Sequence, residues 1–277
     1  MGGGAEATEQ ARGQQRPTIS IAVPGSIIDN TQSLERATAV AGQIARAAVI
    51  FKVHEVVVYD DWDAEGDSSA PRGWRGERFS GSAGSFLARV LQYLDTPQYL
   101  RRALIPLTPD LRLAGLLPPL DAPHHARMHE WPEFREGVVV ADGEGEGGGA
   151  RARGSCAVDV GLQQRVRVRG SFSEGTRLTV AMGLVAEREK VFQPEHGDVK
   201  EIGQFKLPPF RHLLVVFGGV AGLEEACEGD EGLAADSRDP RQLCQLYLNT
   251  CPFQGSRTIR TEEAVLISLA YIAALMP

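Results

Sequence analysis

The chain has 277 residues, of which 43% are hydrophobic, and its formal charge at pH 7 is −7. This length allows a sizeable core in one or two domains, and no apolar run approaches the roughly 18 residues that cross a bilayer. Composition therefore argues against a membrane-spanning protein, and the net acidity argues against nucleic-acid binding through overall charge, although RNA responds to local basic patches.

The N-terminal tail and the metal-ligand residue types suggest no special chemistry. Residues 1–17 carry no apolar signal core and are predicted to be a disordered tail. The cysteines are far apart and match no zinc spacing, which favours structural thiols in a reducing compartment: Cys156, Cys227, Cys244 and Cys251. Three histidines fall in a proline-rich connector, which favours a linker over a metal site: His124, His125 and His129.

The first piece of the chain, to about Pro109, alternates strands and helices. Thr18 to Val23 is a short apolar strand followed by a Pro-Gly-Ser turn, and Thr31 to Phe51 has helical spacing of its apolar residues. A second strand is predicted over Val53 to Tyr59, and a Gly-rich loop (64–84) leads to another helix that contains Phe86. This alternation predicts a parallel α/β sheet.

The second piece, about 111–185, has several short strands separated by glycines. Strands are predicted over 137–140, 157–160, 166–169 and 177–182, which is typical of a small barrel or sandwich. Phe134 and Phe172 are the nearby aromatic candidates for stacking on bases, and a place in the barrel core is the favoured interpretation for each.

This second piece carries a local excess of positive charge. Between residues 151 and 177 there are six arginines against two acidic residues. Arg165, Arg167 and Arg169 alternate with valines, so on a strand their guanidinium groups lie on one face. Either this face is simply solvated or it binds RNA phosphates.

The third piece begins at about Arg211 and returns to α/β patterning. Leu213 to Phe217 is an apolar strand that leads into a glycine-rich turn and a helix start. Only Gly219 and Gly222 fit a G-x-G-x-x-G fingerprint, so dinucleotide binding is a minor alternative to a close backbone approach to another ligand. A β-like run is predicted over Leu243 to Leu248, and the segment 265–275 is apolar on almost every side, which predicts a helix that is buried all round.

Between these two elements lies the most informative stretch, NTCPFQGSRTIRTEEA at 249–264. It is rich in hydroxyl, amide and guanidinium donors, as expected of a loop that holds a polar ligand. Thr261 is predicted to cap the final helix, with Glu262 and Glu263 in its first turn. Cys251 lacks a neighbouring histidine base, so it is not favoured as a nucleophile.

These segments together resemble a known family. The similarity runs from about Ile19 onward and is carried by AVPGSIIDN (22–30), GQIARA (42–47), LARVLQYLDTPQYLR (87–101), LDAPHH (120–125), FREGVVV (134–140), FRHLLVVFGG (210–219) and NTCPFQGSRTIRTEEAVLISLA (249–270). The chain resembles SPOUT-class RNA methyltransferases, in particular the branch with an inserted OB-like barrel, one member of which is described as a centromere protein.

The resemblance implies an α/β trefoil-knot fold with an inserted OB-like β-barrel. It places a methyltransferase domain at 18–110 and 205–277, the barrel at 111–185 and a connector at 186–204. It also implies a homodimer without a metal, located in the nucleus or nucleolus and possibly on the spindle, with the cytoplasm as the alternative.

The implied activity is transfer of a methyl group from S-adenosylmethionine to a uridine N3 of ribosomal RNA. The cofactor-binding residues implied by the resemblance are Gly218, Gly219, Asn249, Thr250, Gln254, Gly255, Ser256, Arg257, Thr258 and Ile259. RNA contacts are expected from Arg257 and Arg260 and from the alternating arginines of the barrel. The sequence reveals no catalytic base, since Glu262 is better explained as a helix-start residue.

One departure from the family pattern affects this interpretation. Members usually have several dozen more residues after the barrel, including a strand, a helix and a pocket-lining loop with a Ser-Glu-Arg-Gly-like sequence. The segment 183–210 occupies that place here and contains no such loop. The alternative function is therefore a non-catalytic RNA-binding or spindle-associated scaffold that keeps the fold.

Overall fold

The structure is a computed structural model that describes residues 17–61, 81–141, 155–183, 207, 209–219, 222–230, 232–233 and 238–276. Its strands are β1 (Thr18–Pro24), β2 (Glu55–Tyr59), β3 (Phe134–Val140), β4 (Ser155–Asp159), β5 (Val166–Arg169), β6 (Arg177–Ala181) and β7 (His212–Val216). Its helices are α1 (Leu34–Ile50), α2 (Ala83–Asp95), α3 (Gln98–Leu104), α4 (Gly222–Gly229), α5 (Pro240–Leu243) and α6 (Thr261–Leu275). Over the described ranges, none of these helices has the length and apolar character needed to cross a bilayer.

The chain divides into two compact units. The first, termed the parallel-sheet unit, comprises Met1–Gln32, Arg46–Arg75 and Glu201–Pro277. The second, termed the antiparallel-sheet unit, comprises Ser33–Ala45 and Gly76–Lys200.

The parallel-sheet unit is built on three strands in the order β2-β1-β7, and both pairings are parallel. The central strand β1 is buried along nearly its whole length, which is why it is almost continuously apolar. Ile21 lies opposite Val56 on one side and Val215 on the other. The α/β alternation predicted from the sequence is confirmed, and β7 joins β1 from the far end of the chain.

The antiparallel-sheet unit contains four strands in the order β5-β4-β3-β6. All four strands predicted for the second piece are present, with bounds shifted by at most three residues. Their inner face packs around Val139, Val158, Val160 and Val180. Gly137 is required in β3, because a Cβ there would lie 2.6 Å from a Val158 methyl group. Closure of this sheet into an OB-like barrel stays a prediction.

A buried arginine joins the proline-rich connector to this sheet. The side chain of Arg135 is almost fully buried, and its guanidinium group donates to main-chain carbonyl oxygens rather than to a carboxylate. The acceptors are Val160 at 2.6 Å, Arg127 at 2.9 Å, Glu130 at 3.0 Å and Ala126 at 3.4 Å. The Tyr99 ring lies 5.0 Å from the guanidinium carbon. Arg135 therefore holds the connector, a neighbouring strand end and an aromatic ring together.

Two histidines of the proline-rich segment, His124 and His125, contact the end of α2. The Nε2 atoms of His124 and His125 each lie 2.8 Å from the main-chain carbonyl oxygen of Asp95, at the end of α2. The Asp95 carboxylate is also close to His124, at 3.2 Å. Among the described residues, no group of three or more His, Cys, Asp or Glu side chains is arranged to hold a metal ion.

Two sequence predictions about burial and strand formation are wrong. Leu243 to Leu248 does not form a strand, because Asp239 caps a helical turn (α5) and the residues after it have no strand neighbour within the described ranges. Phe134 and Phe172 do not lie in a core: they are 57% and 43% exposed. An apolar pattern therefore did not distinguish a paired strand from an exposed segment.

Among the described residues, the final helix α6 has one buried face and one exposed face. Val265, Ser268, Leu269 and Ile272 are buried, which confirms the helix but not its burial on every side. Leu266 and Tyr271 on the other side are 46% and 37% exposed. The described part of the chain thus leaves apolar side chains of this helix exposed.

Candidate functional site

The carboxyl ends of the three parallel strands meet at one edge of their sheet, the usual place for a ligand in α/β folds. Ser26 follows β1, Asp61 follows β2 and Gly219 follows β7. The Ser26 N–H donates to the Asp61 carboxylate at 3.0 Å, and the Ser26 hydroxyl donates to its other oxygen. A Cβ on Gly219 would lie 2.6 Å from that carboxylate and 2.7 Å from the Ser26 hydroxyl, so any other residue would have to displace these two hydrogen-bonded side chains.

The glycine turn after β7 is tight. The Gly222 N–H donates to the Gly219 carbonyl at 3.1 Å, and Gly222 has a φ of +87°. A Cβ on Gly218 would lie 2.5 Å from the backbone of Gly222. The helix that follows has Glu224 and Glu225 in its first turn, where they would repel a phosphate. The turn therefore suits a close backbone approach better than it suits a dinucleotide.

The start of the final helix is bonded to this turn. The Thr261 hydroxyl donates to the Gly218 carbonyl at 3.1 Å. The prediction that Thr261 caps α6 is wrong, because Arg260 occupies the N-cap position and its N–H donates to Glu263 at 2.9 Å. The Thr261 side chain is instead used to join the helix to β7. Glu262 and Glu263 do lie in the first turn, as predicted.

The loop before this helix is anchored at its first residues. The Asn249 side-chain oxygen accepts a hydrogen bond from the Cys251 N–H at 3.0 Å. The Thr250 hydroxyl lies 2.9 Å from the Ser268 hydroxyl, on the buried side of α6. Gly218 and Thr250 are therefore both tied to the same helix, one at its first residue and the other two turns later.

The body of the loop is held by its own side chains. The Gln254 amide donates to the main-chain carbonyls of Ser256 (3.1 Å) and Arg257 (3.4 Å), and the Ser256 hydroxyl donates to the Thr258 carbonyl at 2.7 Å. Nothing lies within 4 Å of the position where a Gly255 Cβ would be. Hydrogen bonds within the loop thus fix its conformation, while most of its residues are exposed to solvent.

The alternating arginines lie in the other unit. Val166 and Val168 pack against its core, whereas Arg165, Arg167 and Arg169 are exposed, so the predicted two-residue period on β5 is confirmed. One Arg165 nitrogen is 3.4 Å from the Ala141 carbonyl oxygen. β5 is an edge strand of the antiparallel sheet. Arg151 and Arg153 fall outside the described residues.

The carboxylates at the strand ends were missed as site residues from sequence. The turn after β1 and the two aspartates after β2 were visible, but nothing in the sequence indicated that they meet. Burial, together with the negative charges of Asp61 and Asp60, raises the pKa of Asp29 to about 6. This carboxyl group therefore titrates close to neutral pH.

Replacing Asp29 with asparagine is expected to change how stability depends on pH. The folded chain keeps the proton to about pH 6, whereas the ordinary pKa of an aspartate in the unfolded chain is 3.8, so native stability falls as pH rises through this interval. Asp29→Asn should raise the free energy of unfolding at pH 7.5 by on the order of 1 kcal/mol, a value discounted for partial solvent screening. Thermal unfolding at pH 4 and pH 7.5 measures this, and an equal effect at both pH values would contradict it.

The sequence of this chain matches a known family and several named proteins. A family described as "Putative RNA methyltransferase" matches residues 18–203 and 188–272. The mouse protein named 28S rRNA (uridine-N(3))-methyltransferase is 41% identical over 97% of this chain and 78% of its own length. The human protein of the same name is 39% identical over 98% of this chain and 81% of its own length. The Drosophila melanogaster protein of that name is 38% identical over 94% and 63%, respectively.

These alignments also reveal a difference in length. The match to the mouse protein extends over 316 aligned positions, 39 more than the 277 residues of this chain. The relative therefore has at least that many residues without a counterpart here. The family match consists of two stretches, and these overlap at 188–203.

Proposed function

This chain belongs to the RNA methyltransferase family that matches it, and on that premise we propose that it methylates N3 of a uridine in ribosomal RNA with S-adenosylmethionine as the donor. The names of the mouse and human relatives support the acceptor. The observation that carries the proposal is the hydrogen bond from Thr261 to Gly218, which joins the predicted cofactor loop and the glycine turn at the ligand-binding edge of the sheet.

The residues at this edge suit the donor. Gly218 and Gly219 carry no side chain and are only partly buried in the turn after β7, so their main-chain groups are available to a flat adenine. Gly255 opens onto space, and the neighbouring Arg257 and Arg260 offer guanidinium groups to a carboxylate. Asn249 and Thr250 are fixed at the loop start, and Ser256, Thr258 and Ile259 complete it. When bound, S-adenosylmethionine would supply an electrophilic methyl group, which requires no metal.

Transfer to uridine N3 also requires that the ring nitrogen lose its proton. Asp29 is the group we propose as the acceptor, because its carboxyl group is half-buried beside Asp61 and has a pKa of about 6. Asp61 in turn contacts Ser26 and the position of Gly219. Asp29→Asn should lower kcat and abolish the acidic limb of the pH–rate profile while cofactor affinity is kept.

The finer architecture that we propose follows the family resemblance. A knotted methyltransferase domain at 18–110 and 205–277 would be interrupted in sequence by an OB-like barrel at 111–185. The exposed side of α6, with Leu266 and Tyr271, supports a homodimer in which a second copy covers this helix. A ribosomal RNA substrate would place the protein in the nucleus or nucleolus.

We further propose that the connector at 186–204 is a shortened form of a longer family segment. The additional residues of the mouse relative and the two stretches of the family match support this. The exposed loop is also consistent with it, since Phe253 is 96% exposed. A second subunit would then be needed to complete the cofactor pocket, because the shortened segment would no longer supply one of its walls.

The direct test uses the full-length chain. Calorimetric titration with S-adenosylmethionine and S-adenosylhomocysteine should give one site per subunit, and incubation with unmodified 28S ribosomal RNA should yield N3-methyluridine detectable by mass spectrometry. If a folded dimer shows no cofactor binding and yields no product, the proposal is overturned in favour of a non-catalytic RNA-binding scaffold.

Charge reversal on β5 is expected to reduce RNA affinity. Replacing Arg165, Arg167 and Arg169 with glutamate removes three cations from an exposed strand face. The slope of log affinity against log salt for single-stranded RNA should become less negative by about 2. Arg36→Glu and Arg102→Glu, which change exposed charges on α1 and α3, are the controls. An unaltered slope in the triple variant would assign these arginines to an ordinary solvated face.

A further inference from the structure

A surface groove in the antiparallel-sheet unit has a lining unlike that of the cofactor site. Its volume is about 560 Å³, within the range of small-molecule sites. The proline-rich segment before β3 contributes Met128, His129 and Trp131 to one wall. The turn before β5 contributes the segment from Leu162 to Val166. Leu162 and Val166 also pack against the core of the sheet, so the floor of the groove is firmly supported.

The groove offers an exposed flat aromatic surface beside polar amides. The Trp131 indole is 50% exposed and Met128 is 67% exposed, although both are large apolar side chains. Gln163 and Gln164 are also exposed, and each carries an amide that can donate and accept hydrogen bonds. An aromatic face flanked by two amides matches a nucleobase, which has both a stacking face and a hydrogen-bonding edge.

The charge around the groove favours an anionic strand. Arg165 lines it, and Arg167 and Arg169 continue from it along the exposed face of β5. None of the eight lining residues is a carboxylate. A base seated in the groove would therefore have its phosphates next to a row of guanidinium groups.

We infer that this groove binds one unpaired nucleobase of an RNA strand, stacked on Trp131, with Arg165 on the adjacent phosphate. The inference depends on the proposed function only in that the substrate is RNA. The groove lies in the antiparallel-sheet unit, whereas every cofactor-binding residue proposed above lies in the parallel-sheet unit. It is a substrate-recognition site in addition to the site of methyl transfer.

The test is binding of a fluorescein-labelled eight-nucleotide oligouridine to the full-length chain, measured by anisotropy. Trp131→Ala should weaken binding by about 10-fold, the usual value of one stacked base, and leave the salt slope unchanged. Trp131→Phe should restore most of the affinity, since it restores an aromatic face. Arg165→Gln should reduce the salt slope by about 0.7.

Indole fluorescence gives an independent readout. Oligouridine should quench the emission of a Trp62→Phe/Trp74→Phe variant, in which Trp131 is the remaining tryptophan, and should do so more than an RNA duplex of equal length. Phe172→Ala is the matched control, because this exposed aromatic residue lies in the same unit but outside the groove and should not alter affinity.

Unchanged affinity of a folded Trp131→Ala variant would overturn the inference, as would quenching by a proline-rich peptide but not by RNA. The proposed function fails separately. Loss of S-adenosylmethionine binding with intact Trp131-dependent RNA binding would overturn methyl transfer and leave the groove assigned. Cofactor binding together with RNA affinity that Trp131→Ala leaves unchanged would overturn the groove assignment and leave methyl transfer in place.

Discussion

The Gly219→Val substitution is expected to weaken binding of S-adenosylmethionine strongly. Gly219 follows β7 at the point where Ser26 and Asp61 are hydrogen-bonded, and a Cβ there would lie 2.6 Å from the Asp61 carboxylate and 2.7 Å from the Ser26 hydroxyl. Any side chain must therefore displace the turn or separate the two residues. Affinity should fall on the order of 100-fold, or about 2.7 kcal/mol, when measured calorimetrically.

Two further glycine variants separate ligand contact from distortion of the turn. Gly255→Val should fold normally, because nothing lies within 4 Å of the new Cβ, yet it should weaken binding by occupying the proposed cofactor space. Gly229→Ala, at the end of α4, is equally uncrowded but lies outside the site and should bind as the unaltered chain does. If the folded Gly219→Val and Gly255→Val variants both keep the affinity of the unaltered chain, the cofactor does not bind at this edge of the sheet.

Loss of the Arg135 guanidinium is expected to have the largest effect on stability. In Arg135→Met, the Val160 carbonyl loses a donor in a buried position, and the Arg127 and Glu130 carbonyls each lose one in a partly buried position. The free energy of unfolding should fall by about 3–5 kcal/mol in urea titration, because buried acceptors without partners are costly.

Geometry rather than charge should account for this effect. Arg135→Lys keeps the positive charge but cannot span the same set of carbonyls, so it should recover only part of the loss. Arg169→Met, on the exposed face of β5, should change stability by about 0.5 kcal/mol or less. A loss below about 1 kcal/mol in Arg135→Met would mean that water or neighbouring groups replace the guanidinium readily.

Much of the fold was predictable because local patterns agree with the final pairing. The alternating valines of β5 and the apolar run of β1 each indicated their strand, and both have neighbours in the sheet. Leu243 to Leu248 had a similar pattern but lacks a neighbouring strand in the described structure, so the same signal gave a wrong prediction. Pairing is a property of two segments, and one segment cannot specify it.

The candidate site was predictable only where one segment contributes most of it. The loop 249–260 was recognisable from its own donors, whereas the meeting of Ser26, Asp61 and Gly219 depends on three strand ends. Thr261 illustrates the limit in a single residue: its position before an apolar helix indicated a cap, but its hydroxyl bonds to Gly218, 43 residues earlier. Trp131 was missed because a lone aromatic residue in a connector has no periodic signal.

The pairing of β1 with β7 has a consequence during synthesis. Thr18 and His212 are hydrogen-bonded neighbours separated by 194 residues, so the first strand leaves the ribosome long before its second partner exists. At about 5–20 residues per second, the interval is on the order of 10–40 s. Strands β3 to β6 are close in sequence and can pair before β7 is synthesised. During that interval β1 has β2 as a neighbour but lacks β7, so one edge of β1 is open to aggregation or chaperone capture.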